Sequence, residues 1–197
     1  MTTTRSGRRT RTQSDALRIA TAPREGLIQN PYFAPNDGVV ELFAMMVRRG
    51  VKVHLMVPGK HTDSPFVRRA GCSLYTALLE AGVRLYEFEP TLLHQKIVVV
   101  DEIWSHIGST NFDARSLSLN EEVGIGVRDA SIANQLKGAF ENDLRRSKEL
   151  SLEQWRAQFI DGCGALAPAS DLYDHFGLTP PKITERVLAH MKIREIA

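Results

Sequence analysis

His94, Lys96 and Asp101 stand at the spacing His-x-Lys-x4-Asp, and six residues later Gly108-Ser109 and Asn111 extend the string to His-x-Lys-x4-Asp-x6-Gly-Ser-x-Asn. Six fixed residue types at fixed offsets coincide by chance roughly once in 10^7 windows or fewer at ordinary residue usage. The chemistry that suits such a set is phosphoryl transfer. An imidazole can attack phosphorus and form a phosphohistidine, which divides one difficult phosphodiester exchange into two easier steps. A neighbouring ammonium compensates charge on the equatorial oxygens, and Ser109 and Asn111 can donate hydrogen bonds to the same oxygens. Gly108 lets backbone come close. Asp101 lies across the run Ile97-Val98-Val99-Val100 from His94, so orienting neighbouring polar groups suits it better than touching the imidazole.

The remaining candidates carry less. His54 falls inside an alternating apolar run, His61 in a loop and His106 between the two parts of the motif, and each reads as a structural or exposed residue. Pro58-Gly59-Lys60 lacks the glycine spacing of a phosphate loop and reads as a turn. Cys72 and Cys163 are far apart, without zinc-ligand spacing or a disulfide framework, and both read as reduced residues. No metal or other cofactor is expected.

The elements that must position the motif alternate between short apolar runs and helical stretches, the pattern of an α/β layer fold. Leu27 to Asn30 reads as a strand running into a loop at Pro31. Asp37 to Arg49 carries Val40, Leu42, Phe43, Met46 and Val47 at helical spacing, and Gly50 stops it. Val51 to Val57 alternates as a strand, Ser64 or Pro65 to Glu80 reads as a helix closed by Gly82, and Val83 to Tyr86 as the next strand. Ile97 to Val100 is a β-branched run suited to a strand buried on both faces, with Glu102 to Ser105 a turn into Ile107. Glu122 to Val127 is another strand candidate. Asp129 to Glu149 reads as one long amphipathic helix, with Ile132, Leu136, Ala139, Phe140 and Leu144 on one stripe. Ser151-Leu152-Glu153-Gln154 can cap a further helical turn through Trp155.

A chain of 197 residues, 43% hydrophobic and 24% charged, has the core of one ordinary domain. That domain is expected over residues 22–158. Residues 1–21 read as a disordered basic arm, because Arg5, Arg8, Arg9 and Arg11 concentrate positive charge in a segment without apolar periodicity while the whole chain carries only +2. Residues 159–197, opened by Gly162, Gly164 and Pro168, read as an irregular appendage dispensable for folding. With neither a secretory signal pattern nor an apolar run of membrane-spanning length, the chain is expected in the cytoplasm, with room for a peripheral place at the inner face of the cell membrane.

The segment from His94 to Asn111 resembles the signature of the phospholipase D superfamily. Its continuation from Asn111-Phe112-Asp113-Ala114-Arg115 to Asn120-Glu121-Glu122-Val123 is similar to the second half of bacterial cardiolipin synthases. So are Asn30-Pro31-Tyr32-Phe33-Ala34-Pro35, Arg49-Gly50-Val51-Lys52-Val53, Val57-Pro58-Gly59-Lys60 and the stretch from Leu78 to Glu87. The likeness runs from about Leu27 to Trp155 and implies one phospholipase D-like half-domain, a mixed sheet flanked by helices. It also implies His94 as a catalytic histidine, Lys96 and Asn111 as phosphate contacts, Arg115 in a supporting place and Glu122 as the acidic residue that holds the histidine. Glu121 stands where that subgroup more usually has an aromatic or apolar residue, so both glutamates stay in view. Two-motif relatives carry two such halves, and this sequence has one His-x-Lys-x4-Asp. Residues from Gly164 to Pro180 bear a weaker likeness to the C-terminal end of transketolase-type proteins, without anything of a thiamine diphosphate site.

The resemblance implies a phosphatidyltransferase of the cardiolipin synthase type, acting on an anionic phospholipid. The second half would come from a homodimer mate or a separate chain. Two other readings remain: a single-motif homodimeric phosphodiesterase acting on nucleic acid, towards which the basic arm leans, and a non-catalytic truncated remnant.

Overall fold

The computed structural model describes residues 22–35, 37–113 and 122–161. The expectations for the basic arm, for Arg115 and Glu121, for Cys163 and for the appendage beyond Asp161 lie outside them.

Strand β1 (Glu25–Gln29) leads through helix α1 (Asp37–Arg48) to β2 (Lys52–Pro58), and β2 through α2 (Pro65–Glu80) to β3 (Arg84–Phe88). β1, β2 and β3 pair in parallel, with Leu27 opposite His54 and Leu55 opposite Leu85. The chain then crosses back. β4 (Ile97–Val100) pairs antiparallel with the other side of β1, and β5 (Trp104–Gly108) and β6 (Gly124–Arg128) follow as an antiparallel meander. Helix α3 (Ala130–Leu144) returns over the sheet to β7 (Ser147–Leu150), antiparallel to β3, and α4 (Leu152–Asp161) follows. The seven-stranded sheet is mixed, in the order β6-β5-β4-β1-β2-β3-β7.

Burial explains the two layers of helix. On one face Ile28, Val53, Leu55, Leu85, Val98 and Val100 pack against Phe43 and Met46 of α1, Tyr75 and Leu78 of α2 and Trp155 of α4. On the other, Leu27, Met56, Tyr86 and Val99 meet Ala133 and Phe140 of α3. The central strands are thus apolar in continuous runs, as strands buried on both faces must be. Gly50 and Gly82 take φ of 85° and 88° just past α1 and α2, the left-handed position that ends a helix at little cost to glycine.

Two expectations need correction. The helix expected through Glu149 stops at Leu144, and Ser147–Leu150 is an edge strand. There Leu150 is buried opposite Leu85, while Glu149 takes the Arg84 guanidinium at 2.9 and 3.1 Å. Pairing with a distant strand has overridden a local pattern that reads equally well as a polar helical face. The turn placed at Glu102 to Ser105 is also shorter, since β5 already begins at Trp104. His54 is buried as a structural residue: its ring stacks on Tyr86 and Nδ1 lies 3.2 Å from the Tyr86 hydroxyl. Burial lowers its pKa.

Candidate active site

β1 ends where β4 begins, and the connection after β1 leaves toward β2 while β4 lies on the opposite side. Such a reversal of strand order opens a crevice beyond the strand ends. The loops after β1, β2 and β3 emerge there.

The turn after β1 is fastened to the motif by Asn30, which is 1% exposed. Its Nδ2 donates to the Thr110 carbonyl at 3.2 Å, and its Oδ1 accepts from the backbone N–H groups of Phe112 and Tyr32, both at 3.2 Å. Ala34 N donates to Phe112 O at 2.9 Å, and Phe33, Phe43 and Phe112 form an aromatic cluster beneath. Gly71 of α2 is needed for this packing, because a Cβ there would come 2.2 Å from the Phe33 carbonyl oxygen.

His94 and Lys96 lie on the loop just before β4, and their side chains converge. Lys96 Nζ lies 3.3 Å from His94 Nε2 and 3.3 Å from the His94 carbonyl oxygen. Lys96 is already held by the sheet, since its carbonyl accepts from Gly108 N at 3.2 Å. Burial pushes the Lys96 pKa below its ordinary value, while the negative charges of Glu122 and Asp63 pull it partly back. Ser109 Oγ donates to Glu122 and accepts from Val123 N at 3.0 Å, and Ser109 N donates to Val123 O at 2.8 Å. Ser109 and Glu122 are thereby locked together, with the charge of Glu122 acting on Lys96. Glycine at 108 answers to β6, because a Cβ there would meet Val123 O at 2.8 Å and Gly124 Cα at 3.0 Å. Asn111 follows Ser109 and Thr110 on the same loop, half-buried.

Asp101 stands apart. It lies beyond the far end of β4, some 13 Å of strand from the His94 end. There its Oδ1 accepts from Arg24 N at 3.0 Å and Glu25 N at 2.8 Å, and its backbone takes φ of 52°. The polar groups it orients are the N–H groups at the entry to β1.

Spacing alone did not bring out Tyr32, Asp63 and Asn30. Tyr32 sits edge-on to His94, with ring centroids 6.1 Å apart at 84°, and Lys96 Nζ lies 6.0 Å from the Tyr32 centroid. The Tyr32 hydroxyl donates to Asp63 at 2.5 Å. For Asn30 and Tyr32 the signal in the sequence was the Asn30-Pro31-Tyr32-Phe33 resemblance, while Asp63 falls in none of the stretches that carry the likeness. Among the described residues, no three His, Cys, Asp or Glu side chains come together as a metal site.

A half-domain of this topology, with a histidine and a lysine meeting at the strand ends, has the fold of the phospholipase D family. It resembles the phospholipase D family member Nuc from Salmonella typhimurium with a TM-score of 0.64 at 16% identity, covering 74% of this chain and 94% of that one. It resembles phosphatidylserine synthase from Haemophilus influenzae with a TM-score of 0.59 at 18% identity, covering 87% and 43%. The family described as cardiolipin synthase, PLD-like domain, matches residues 17–144, and the chain belongs to it. Cardiolipin synthase 1 of Staphylococcus epidermidis is 41% identical over 135 residues, and cardiolipin synthase A of Proteus mirabilis 38% over 143. The matched parts are 68% and 73% of this chain but only 27% and 29% of those relatives.

Proposed function

We propose that this chain is one half-site of a phosphatidyltransferase of the cardiolipin synthase type, acting on phosphatidylglycerol through a phosphohistidine at His94. The observation that carries the reading is the 3.3 Å approach of Lys96 Nζ to His94 Nε2 beside the Ser109–Glu122 pair. An ammonium has donors only, so it meets a lone pair on Nε2 and leaves the ring proton on Nδ1. Nε2 is then the nucleophile, and Lys96 is placed to follow the phosphoryl oxygens as they gain charge.

In the first step Nε2 bonds to phosphorus, the bond from phosphorus to the headgroup glycerol breaks, and the departing alkoxide takes a proton from an acid on a second half. In the second step the glycerol hydroxyl of another phosphatidylglycerol gives its proton to that same group on the second half, attacks phosphorus and frees Nε2. Two phosphatidylglycerols become cardiolipin and glycerol. Asn111 and Ser109 are assigned to the phosphate oxygens, Ser109 by turning its one O–H away from Glu122, with Gly108, Arg115 and Glu122 in supporting places.

The second half supplies the acid that one His94 cannot be while it attacks. Support for a docking surface comes from the sheet edge beside Ser109. Val123 is 72% exposed, Ile125 63% and Ile107 43%, on and next to the edge strand β6. An edge strand with exposed apolar side chains invites pairing. A homodimer about an axis beside the motif would cover it and face two His94 residues across one phosphate.

The test is light scattering and thin-layer analysis of labelled phosphatidylglycerol on the same column fraction, in chelator, with a DNA duplex as a parallel substrate. Cardiolipin and glycerol from a dimer, weakened together with dimerisation by Ile125→Lys, are expected. A monomer with full turnover would end the shared-site reading, and cleavage of DNA without lipid transfer would end the substrate assignment.

A further inference from the structure

Three loops that are separate in sequence meet at one side chain. Tyr32 lies on the loop after β1, its hydroxyl donates to Asp63 on the loop after β2, and its ring faces His94 and Lys96 on the loop after β3. We propose that Tyr32 and Asp63 form a positioning pair for His94 and Lys96, Tyr32 as a rigid wall and Asp63 as the anchor that fixes it.

His94 is solvent-exposed and on a loop, so nothing in a strand pleat fixes its imidazole. An aromatic edge at 6.1 Å and 84° limits the ring planes open to it. The same ring, with Lys96 Nζ 6.0 Å from its centroid, favours the ammonium on the His94 side. A wall positions only if it is itself held. Tyr32 is held at its backbone by Asn30 Oδ1 and at its hydroxyl by Asp63. The space for its loop depends on Gly71, where a side chain would strike Phe33 O. The phenol is held as a donor, its pKa pushed up to about 12 chiefly by the hydrogen bond to Asp63. Asp63 has a second effect, because its charge supports the protonated form of Lys96. Among the described residues, the charged or titratable groups facing Lys96 are His94, Tyr32, Asp63 and Glu122.

The proposal builds on His94 as the attacking group, but its test separates the two. Two conservative changes divide the parts: Tyr32→Phe keeps the ring and loses the anchor, whereas Asp63→Asn keeps an acceptor for the phenol and loses the charge. Lysine Nζ resonances are followed by NMR against pH on the whole chain, Lys96 being assigned with Lys96→Arg. In Asp63→Asn, Lys96 is expected to titrate at lower pH than in wild type while Lys148 is unchanged. An unmoved Lys96 would overturn the electrostatic part, whether or not the chain turns over phospholipid. In a preparation with lipid transfer, Tyr32→Phe is expected to lower kcat about tenfold at unchanged KM. Wild-type kcat in Tyr32→Phe, with an unchanged melting temperature, would overturn the positioning role.

Discussion

The Nζ of Lys96 stands 3.3 Å from Nε2 of His94, although neither residue belongs to a regular strand. The pair is a property of the loop between β3 and β4, and the first prediction concerns it. His94→Ala is expected to remove all measurable lipid transfer. Lys96→Ala is expected to cost roughly 10^2–10^3 in kcat, the usual effect of removing a preorganised partner of developing negative charge. Wild-type activity is expected to persist in EDTA. Steady-state assays on the purified protein check this, and wild-type turnover in His94→Ala would contradict it.

The pH dependence follows from Lys96. Burial lowers its pKa from 10.5 more than Glu122 and Asp63 restore it. The ammonium is present below the folded-state pKa and lost as pH rises through it. Turnover should therefore fall on an alkaline limb below the ordinary lysine range. Lys96→Arg, which stays charged, should remove that limb. Between the folded and unfolded pKa values the unfolded chain binds more protons, so this group makes stability rise with pH in that window. A kcat–pH profile with the same alkaline limb in Lys96→Arg would contradict the assignment.

Asp101 is expected to matter for folding. Its carboxylate receives the backbone N–H groups of Arg24, just before β1, and of Glu25, and it adopts φ of 52°. Asp101→Ala forfeits both bonds and meets the left-handed conformation with an ordinary side chain, at a cost of about 2–4 kcal/mol. A fall in melting temperature of roughly ten degrees is the expected reading. Asp101→Asn, which tolerates that conformation and can still accept, should fall less. Loss of turnover without loss of stability in Asp101→Ala would instead place this carboxylate in the chemistry.

Trp155 ties α4 to α2. It lies 5.0 Å from the Tyr75 ring and donates Nε1–H to Thr76 Oγ1 at 3.1 Å. Trp155→Ala is expected to cost about 3–5 kcal/mol by thermal or denaturant melts. A chain ended after Asp161 is expected to melt as cooperatively as the full chain, and a drop of roughly ten degrees on that truncation would make the segment beyond it part of the core.

Much of this molecule was legible in the sequence, for physical reasons that can be named. Ile97 to Val100 announced its strand because burial on both faces leaves no polar position. Gly50 and Gly82 marked helix ends because only glycine takes their φ cheaply. The strand Ser147–Leu150 was not legible, because an edge strand with three polar residues looks local while its partner, β3, is some sixty residues away. The site divided likewise. His94, Lys96, Ser109 and Asn111 were singled out by spacing. Tyr32 and Asp63 come from two other loops, and only the folded sheet brings them to His94. Asp101 belongs to the motif by sequence but to the opposite end of the sheet by structure.

The most direct test is to look for the phosphatidyl group on the nucleophile. The purified protein is exposed to phosphatidylglycerol, quenched under alkaline denaturing conditions, digested and analysed by mass spectrometry while released glycerol is measured. The expected result is a phosphatidyl mass on the peptide bearing His94, matched by glycerol release and chased into cardiolipin by more phosphatidylglycerol. Cardiolipin formed while that peptide stays unmodified throughout, or an adduct that persists in His94→Ala, would contradict the mechanism.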